Sequence, residues 1–157
     1  MPSDESEFTA MITRFAMGYE EASNEFQKST IRKERGEAIA QILRSRFVDD
    51  WVGQVSAMHT TSDGLGVLSV KLPGSVEIEV ETMNNSLSDI GDNTLIATGS
   101  PLYNQVADLA VGDKVTFSGR FASRDMDYIE EESITEEGSM TAPGFIFTFT
   151  NVLKETP

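Results

Sequence analysis

The chain has 157 residues, 39% of them hydrophobic, so it can bury a core without disulfide or metal staples and is too apolar to stay disordered. It contains no cysteine, which removes a disulfide framework, a thiolate zinc site and a cysteine nucleophile. The formal charge of −14 is unevenly spread: residues 1–47 carry 7 Lys/Arg against 8 Asp/Glu, while residues 48–157 carry 5 against 18. An acidic surface of that order repels a phosphate backbone over a Debye length of about 8 Å, which argues against ordinary nucleic-acid binding.

The opening Met1-Pro2-Ser3-Asp4-Glu5-Ser6-Glu7 is acidic where a secretory signal is basic and then apolar, and no apolar run reaches membrane-spanning length. A cytoplasmic setting is expected if the chain is complete, and an anchored one if an N-terminal segment has been removed. Phe8, Met11, Ile12, Phe15, Tyr19, Ala22 and Phe26 recur at three-and-four spacing, which predicts one apolar helical stripe with Ser3 as N-cap. A second pattern, Ile31, Ala38, Ile39, Ile42, Leu43 and Phe47, is out of phase with the first, so a break is expected around Gln27 to Thr30. Residues 1–47 thus read as a helical arm of two helices or one broken helix. Its stretch 28–46 is basic, with six Lys/Arg, among them Lys28, Arg32, Lys33 and Arg35, against Glu34 and Glu37.

From Trp51 the period changes to two, the signature of half-buried strands. Trp51 to Met58 reads as a strand, Ser62-Asp63-Gly64-Leu65-Gly66 as a turn, and Gly66 to Leu72 as its partner, closed by Pro73-Gly74. Val76, Ile78 and Val80 then alternate with Glu77, Glu79 and Glu81, giving a third strand with a row of carboxylates on its outer face. Asn84 to Asn93 reads as a long loop and Thr94 to Thr98 as a short extended segment. Ser100-Pro101 has the form of a helix start, with the serine as N-cap and the proline at the first helical position. Val115, Phe117 and Phe121 share the inner face of a fourth strand, and Gly119 on that face predicts a kink or bulge. The last strand follows the acidic segment Asp125 to Glu137, with Phe145, Phe147 and Phe149 pointing inward.

Three strands, a short helix and two further strands are the order of a five-stranded OB barrel. The expected fold is therefore mainly β: the helical arm, then residues 48–157 as a five-stranded antiparallel OB-like barrel with a short helix between strands 3 and 4. The segment Leu109-Ala110-Val111-Gly112-Asp113-Lys114-Val115-Thr116-Phe117-Ser118-Gly119-Arg120-Phe121 resembles the approach to the fourth strand in OB-fold proteins. Over residues 51–153 the chain resembles the bacterial tRNA-anti-like OB group, in which a helical lead-in also precedes the barrel. That resemblance implies a fold and leaves function open.

Catalytic signals are sparse. His59 is the single histidine and has no partner nearby in sequence, and no nucleophile elbow, phosphate loop or zinc-peptidase motif is present. Asp125 to Glu132 offers oxygen ligands but lacks EF-hand spacing, so neither a metal nor a cofactor is expected. Two arrangements point instead to binding. Glu77, Glu79 and Glu81 repeat at about 7 Å, a row that a basic surface would stabilise, and Lys28, Arg32, Lys33 and Arg35 supply such a surface within the chain or from a second copy. Trp51, Tyr103 and Arg120 are candidates for stacking and charge on the barrel. The reading is a non-catalytic OB-like binding or assembly module that contacts a protein partner or itself. The alternatives are nucleic-acid binding through the basic stretch 28–46 and an acidic DNA mimic that inhibits a basic enzyme.

Overall fold

The computed structural model describes residues 1–156. Helices α1 (Ser3–Glu21) and α2 (Glu25–Ile42) precede strands β1 (Phe47–Thr60), β2 (Gly66–Lys71) and β3 (Glu79–Glu81). After a long connection come α3 (Pro101–Ala107), β4 (Lys114–Phe121), the small hairpin β5 (Ser123–Arg124) and β6 (Tyr128–Ile129), α4 (Glu136–Thr141) and β7 (Gly144–Lys154). The barrel is closed in the order β1-β2-β3-β7-β4, an arrangement compatible with an OB-like fold.

The barrel is mixed rather than purely antiparallel, because β3 and β7 run parallel, with Glu79, Val80 and Glu81 opposite Gly144, Phe145 and Ile146. Closure requires this: the third strand meets the last one, and the two enter the sheet from the same end. The short helix after the third strand forms as expected, its Ser100 hydroxyl accepting from the Tyr103 N–H at 3.1 Å. α4 was not anticipated; its six residues are too few to show a helical period, and Thr135 caps it by accepting from the Gly138 N–H at 3.0 Å.

The break in the arm lies at residues 22–24 rather than 27–30. Asn24 caps α2 by accepting the Gln27 N–H at 3.0 Å, so Phe26 belongs to the second helix and falls off the stripe of the first. Ser3 begins α1 but supplies no cap; that position is Pro2. The first strand starts at Phe47, four residues before the change of period, since it must first pair with the end of β4. Thr94 to Thr98 contributes only an isolated bridge between Ile96 and Gly66.

One core joins arm and barrel. Phe8 of α1 lies 5.4 Å from Trp51, 5.5 Å from Phe121 and 5.6 Å from Phe145, ring centre to ring centre, within the favourable range for aromatic pairs. Phe117, Phe147 and Phe149 continue the aromatic column on the barrel side. Gly119 sits where the β4–β7 register shifts, and a Cβ there would overlap the Thr148 carbonyl oxygen and approach Phe147 Cε2 to 2.6 Å. Among the described residues no helix is long and apolar enough to cross a membrane.

Candidate functional site

The arm's cations meet the acidic segment before β7, not the glutamate row. Arg32 makes two parallel bonds to Asp127, Nε to Oδ1 and Nη2 to Oδ2, each 2.9 Å, and a third from Nη1 to Glu136 Oε1 at 3.0 Å. This planar, forked geometry is the strongest form of an ion pair, and it holds the Asp127 carboxyl below the usual carboxylate range. Arg35 is buried and donates from Nη1 to the Ser139 carbonyl oxygen at 2.7 Å and from Nη2 to Ser139 Oγ at 3.3 Å, with its guanidinium 5.7 Å from the Phe145 ring centre. Gly36 makes the approach possible: a Cβ there would lie 2.5 Å from the Met126 carbonyl oxygen. Tyr19 adds a 2.7 Å bond to Glu136 Oε2.

A second lock lies at the arm's end. Arg46 and Tyr128 both have left-handed backbone, with φ of 62° and 69°. The Arg46 guanidinium lies 3.8 Å over the Tyr128 ring and donates to the Tyr128 carbonyl oxygen at 3.0 Å. The tyrosine hydroxyl reaches the carbonyls of Leu43 and Arg44, both at 2.7 Å. Two residues in a sparsely populated backbone region are thus tied to each other and to the end of α2, the over-determination such conformations need. Lys28 lies 5.3 Å over the Tyr19 ring, while Lys33 faces solvent.

Glu77, Glu79 and Glu81 do not share one environment. Glu77 is exposed, Glu79 half-buried and Glu81 only 7% exposed, with Gly144 and Glu132 packed against the last. Glu81 Oε2 accepts from Ser69 Oγ at 3.2 Å, and the Glu132 carboxyl stands within hydrogen-bonding reach, so a proton held between the two carboxyls supplies the donor that Oε1 otherwise lacks. Burial first, and then the neighbouring Glu132, push the Glu81 carboxyl up to about 8, so it holds a proton at neutral pH. Beside it Glu77, Glu79, Glu132 and the chain from Ala142 to Gly144 enclose a polar recess of about 160 Å³. None of the ion pairs among the described residues involves these four glutamates.

Two further carboxyls are displaced from the ordinary range. Glu5 on α1 has no exposed surface; it accepts the Val52 N–H at 2.8 Å, and burial pushes it up to about 7. Glu130 is raised to about 7 by burial and by Asp92.

Of the barrel candidates, Trp51 is fully buried and offers no ring for stacking. Tyr103 is half-buried beside Met58, His59 and Ile96 around a small apolar cavity of about 120 Å³. Arg120 is exposed and lies 5.7 Å from the Phe47 ring centre. Arg120 shares a polar recess of about 210 Å³ with Arg46 and Phe47, and neither Trp51 nor Tyr103 lines it.

The arm carries a feature that the periodicity had assigned to its packing stripe. Phe26 is 88% exposed and stands at a groove of about 460 Å³ between α1 and α2, with Ala22 and Ile31 along it and Glu21 and Glu34 at its margins. Met17, on α1, is also 56% exposed. Comparison with protein-family models, curated proteins and solved structures returned no match for this chain.

Proposed function

We propose that this protein is a non-catalytic module on an OB-like barrel, akin to the tRNA-anti-like OB group in layout, that works by binding a protein through its helical arm. The observation that carries the reading is Phe26, a ring left in water beside a groove. Burying such a side chain is worth roughly 1.5–3 kcal/mol, and contiguous exposed apolar surface is a mark of interfaces. The groove's margins are acidic, with Glu21 and Glu34 and no cation among the lining residues, so the segment that seats there is apolar with flanking Lys or Arg.

Support also comes from what the arm does not leave free. Arg32, Arg35 and Arg46 are occupied within the chain, which fixes the arm on the barrel and presents the groove as a rigid surface. Light scattering and retention by an immobilised wild-type chain test the reading, with Phe26→Ser as the comparison. Wild-type protein is expected to self-associate, or to retain a partner reproducibly, and Phe26→Ser to lose that contact with unchanged stability. Equal behaviour of the two chains would refute the role of the groove.

A further inference from the structure

We propose that the recess where the entry to β1 meets the end of β4 is an oxyanion site that takes a single phosphate monoester group. The inference is independent of the arm groove and uses other residues. Phe47, Arg120 and Thr148 form one row across β1, β4 and β7, with Phe47 opposite Arg120 and Arg120 opposite Thr148 in register. Cross-strand neighbours point to the same face, so Arg120 and Thr148 share the outside of the barrel with the exposed Phe47 ring. Arg46 joins the row at its end, in left-handed backbone, and its carbonyl accepts the Phe121 N–H at 2.9 Å. With Ser45 and Ser123 these residues wall a polar recess of about 210 Å³.

The recess brings two guanidiniums together with no carboxylate paired to either. Acidic residues outnumber basic ones 26 to 12, yet among the described residues neither Arg46 nor Arg120 has a carboxylate oxygen within 4.0 Å. Arg46 is anchored through Nε to the Tyr128 carbonyl at 3.0 Å and by its face on the Tyr128 ring, which leaves both Nη atoms without a partner among the described residues. Arg120 lies against Phe47 and makes no side-chain hydrogen bond among them. Ser45 Oγ accepts the Phe47 N–H at 3.4 Å, and the Ser123 and Thr148 hydroxyls are bonded to no described residue, so all three keep a proton to donate. Like charges that share a recess repel, and the anchoring of Arg46 holds it against turning away; an anion between them relieves the repulsion.

One carboxylate, Asp92, also lines the recess. Its carboxyl is within hydrogen-bonding reach of Glu130, which is in turn paired with Arg124 at 3.5 Å. Arg46 and Arg120 against Asp92 still leave the recess positive, in a chain whose formal charge is −14.

The occupant's chemistry follows from the donors. They come from the entry to β1, from β4, from β5 and from β7, and so approach from several directions. A phosphate accepts through three terminal oxygens arranged as a tetrahedron, whereas a carboxylate accepts mainly in its own plane. A monoester carries about −1.5 to −2 charges at pH 7, which two guanidiniums match with forked hydrogen bonds. A phosphodiester strand extends its charge along its whole length, and the surrounding acidic surface repels it over a Debye length of about 8 Å.

The test is an NMR titration of the full chain with an acetylated, amidated Ala-phosphoserine-Ala peptide, alongside the same peptide with serine, inorganic phosphate and a short oligothymidylate. Saturable shifts are expected at the amides of Ser45, Phe47, Arg120 and Ser123 with the phosphopeptide and none with the serine peptide. Inorganic phosphate binding as tightly as the phosphopeptide identifies a free phosphate compound as the natural source; weaker binding identifies a phosphorylated side chain. Arg120→Gln, which removes no hydrogen bond within the described chain, should lower affinity about tenfold, the effect of roughly 1.4 kcal/mol, and Arg120→Lys should recover part of it. Asp92→Asn should raise affinity about twofold by removing a like charge, the opposite of its effect on a cation site. Equal shifts with the serine peptide, affinity indifferent to Arg120→Gln, a loss of affinity in Asp92→Asn, or saturation by the oligothymidylate without the monoesters would each overturn the proposal.

Discussion

Replacing Glu5 by glutamine tests the buried carboxyl that joins the arm to the first strand. Glu5 has no exposed surface, accepts the Val52 N–H through Oε1 and leaves Oε2 without a partner. A carboxyl displaced from 4.5 to about 7 binds its proton more tightly in the folded chain than in the unfolded one. Its contribution is therefore fully present below pH 4.5 and is lost as pH rises through 7, a difference of about 3 kcal/mol before relaxation and water penetration reduce it. Glutamine keeps the acceptor for Val52 and never ionises. Denaturant unfolding should place Glu5→Gln within about 1 kcal/mol of wild type at pH 5 and about 2 kcal/mol above it at pH 9. An offset that is the same at both pH values would refute the claim that Glu5 is held neutral by burial.

Wild-type stability should fall from pH 5 to pH 9, because Glu5, Glu81 and Glu130 all have raised values, while Asp127 and Glu136 are lowered and make the chain lose stability only in stronger acid; a flat profile in denaturant melts would contradict this. Arg32→Ala breaks a bidentate pair to buried Asp127 and should cost about 1–3 kcal/mol, with hydrogen exchange rising along α2 before it rises in the barrel. Gly119→Ala drives a methyl into Thr148 and Phe147 and should lower stability by about 1–3 kcal/mol in chemical denaturation, with no change expected from Gly18→Ala beyond a small helix gain.

Much of the barrel was legible because its strands obey local rules. Val115, Phe117 and Phe121 are buried on the face where alternation places them, Gly119 marks the register shift, and Ser100-Pro101 starts a helix. What failed depended on distant partners. Nothing in Glu79 to Glu81 reveals that β7 runs parallel beside it, and the strict alternation of that segment put Glu81 in water when a later segment covers it. Phe26 continued the spacing of α1 by coincidence, since the break at residues 22–24 depends on the Asn24 cap. The basic stretch 28–46 was visible as a patch, but its pairing with Asp127 and Glu136 joins residues about a hundred positions apart.

The distribution of charge after folding bears on what can bind. Arg32, Arg35 and Arg46, the cations best placed to offset the acidic barrel, are spent on one narrow seam between α2 and residues 127–139. That seam leaves the β3–β7 edge with four glutamates and no ion pair. One of them, Glu81, is kept neutral at pH 7 by burial and by the neighbouring Glu132, which limits the local repulsion. The same asymmetry explains why the acidity of residues 48–157 is compatible with a tightly closed barrel: the excess carboxylates lie outside it, while its aromatic column from Phe8 to Phe149 contains no charge.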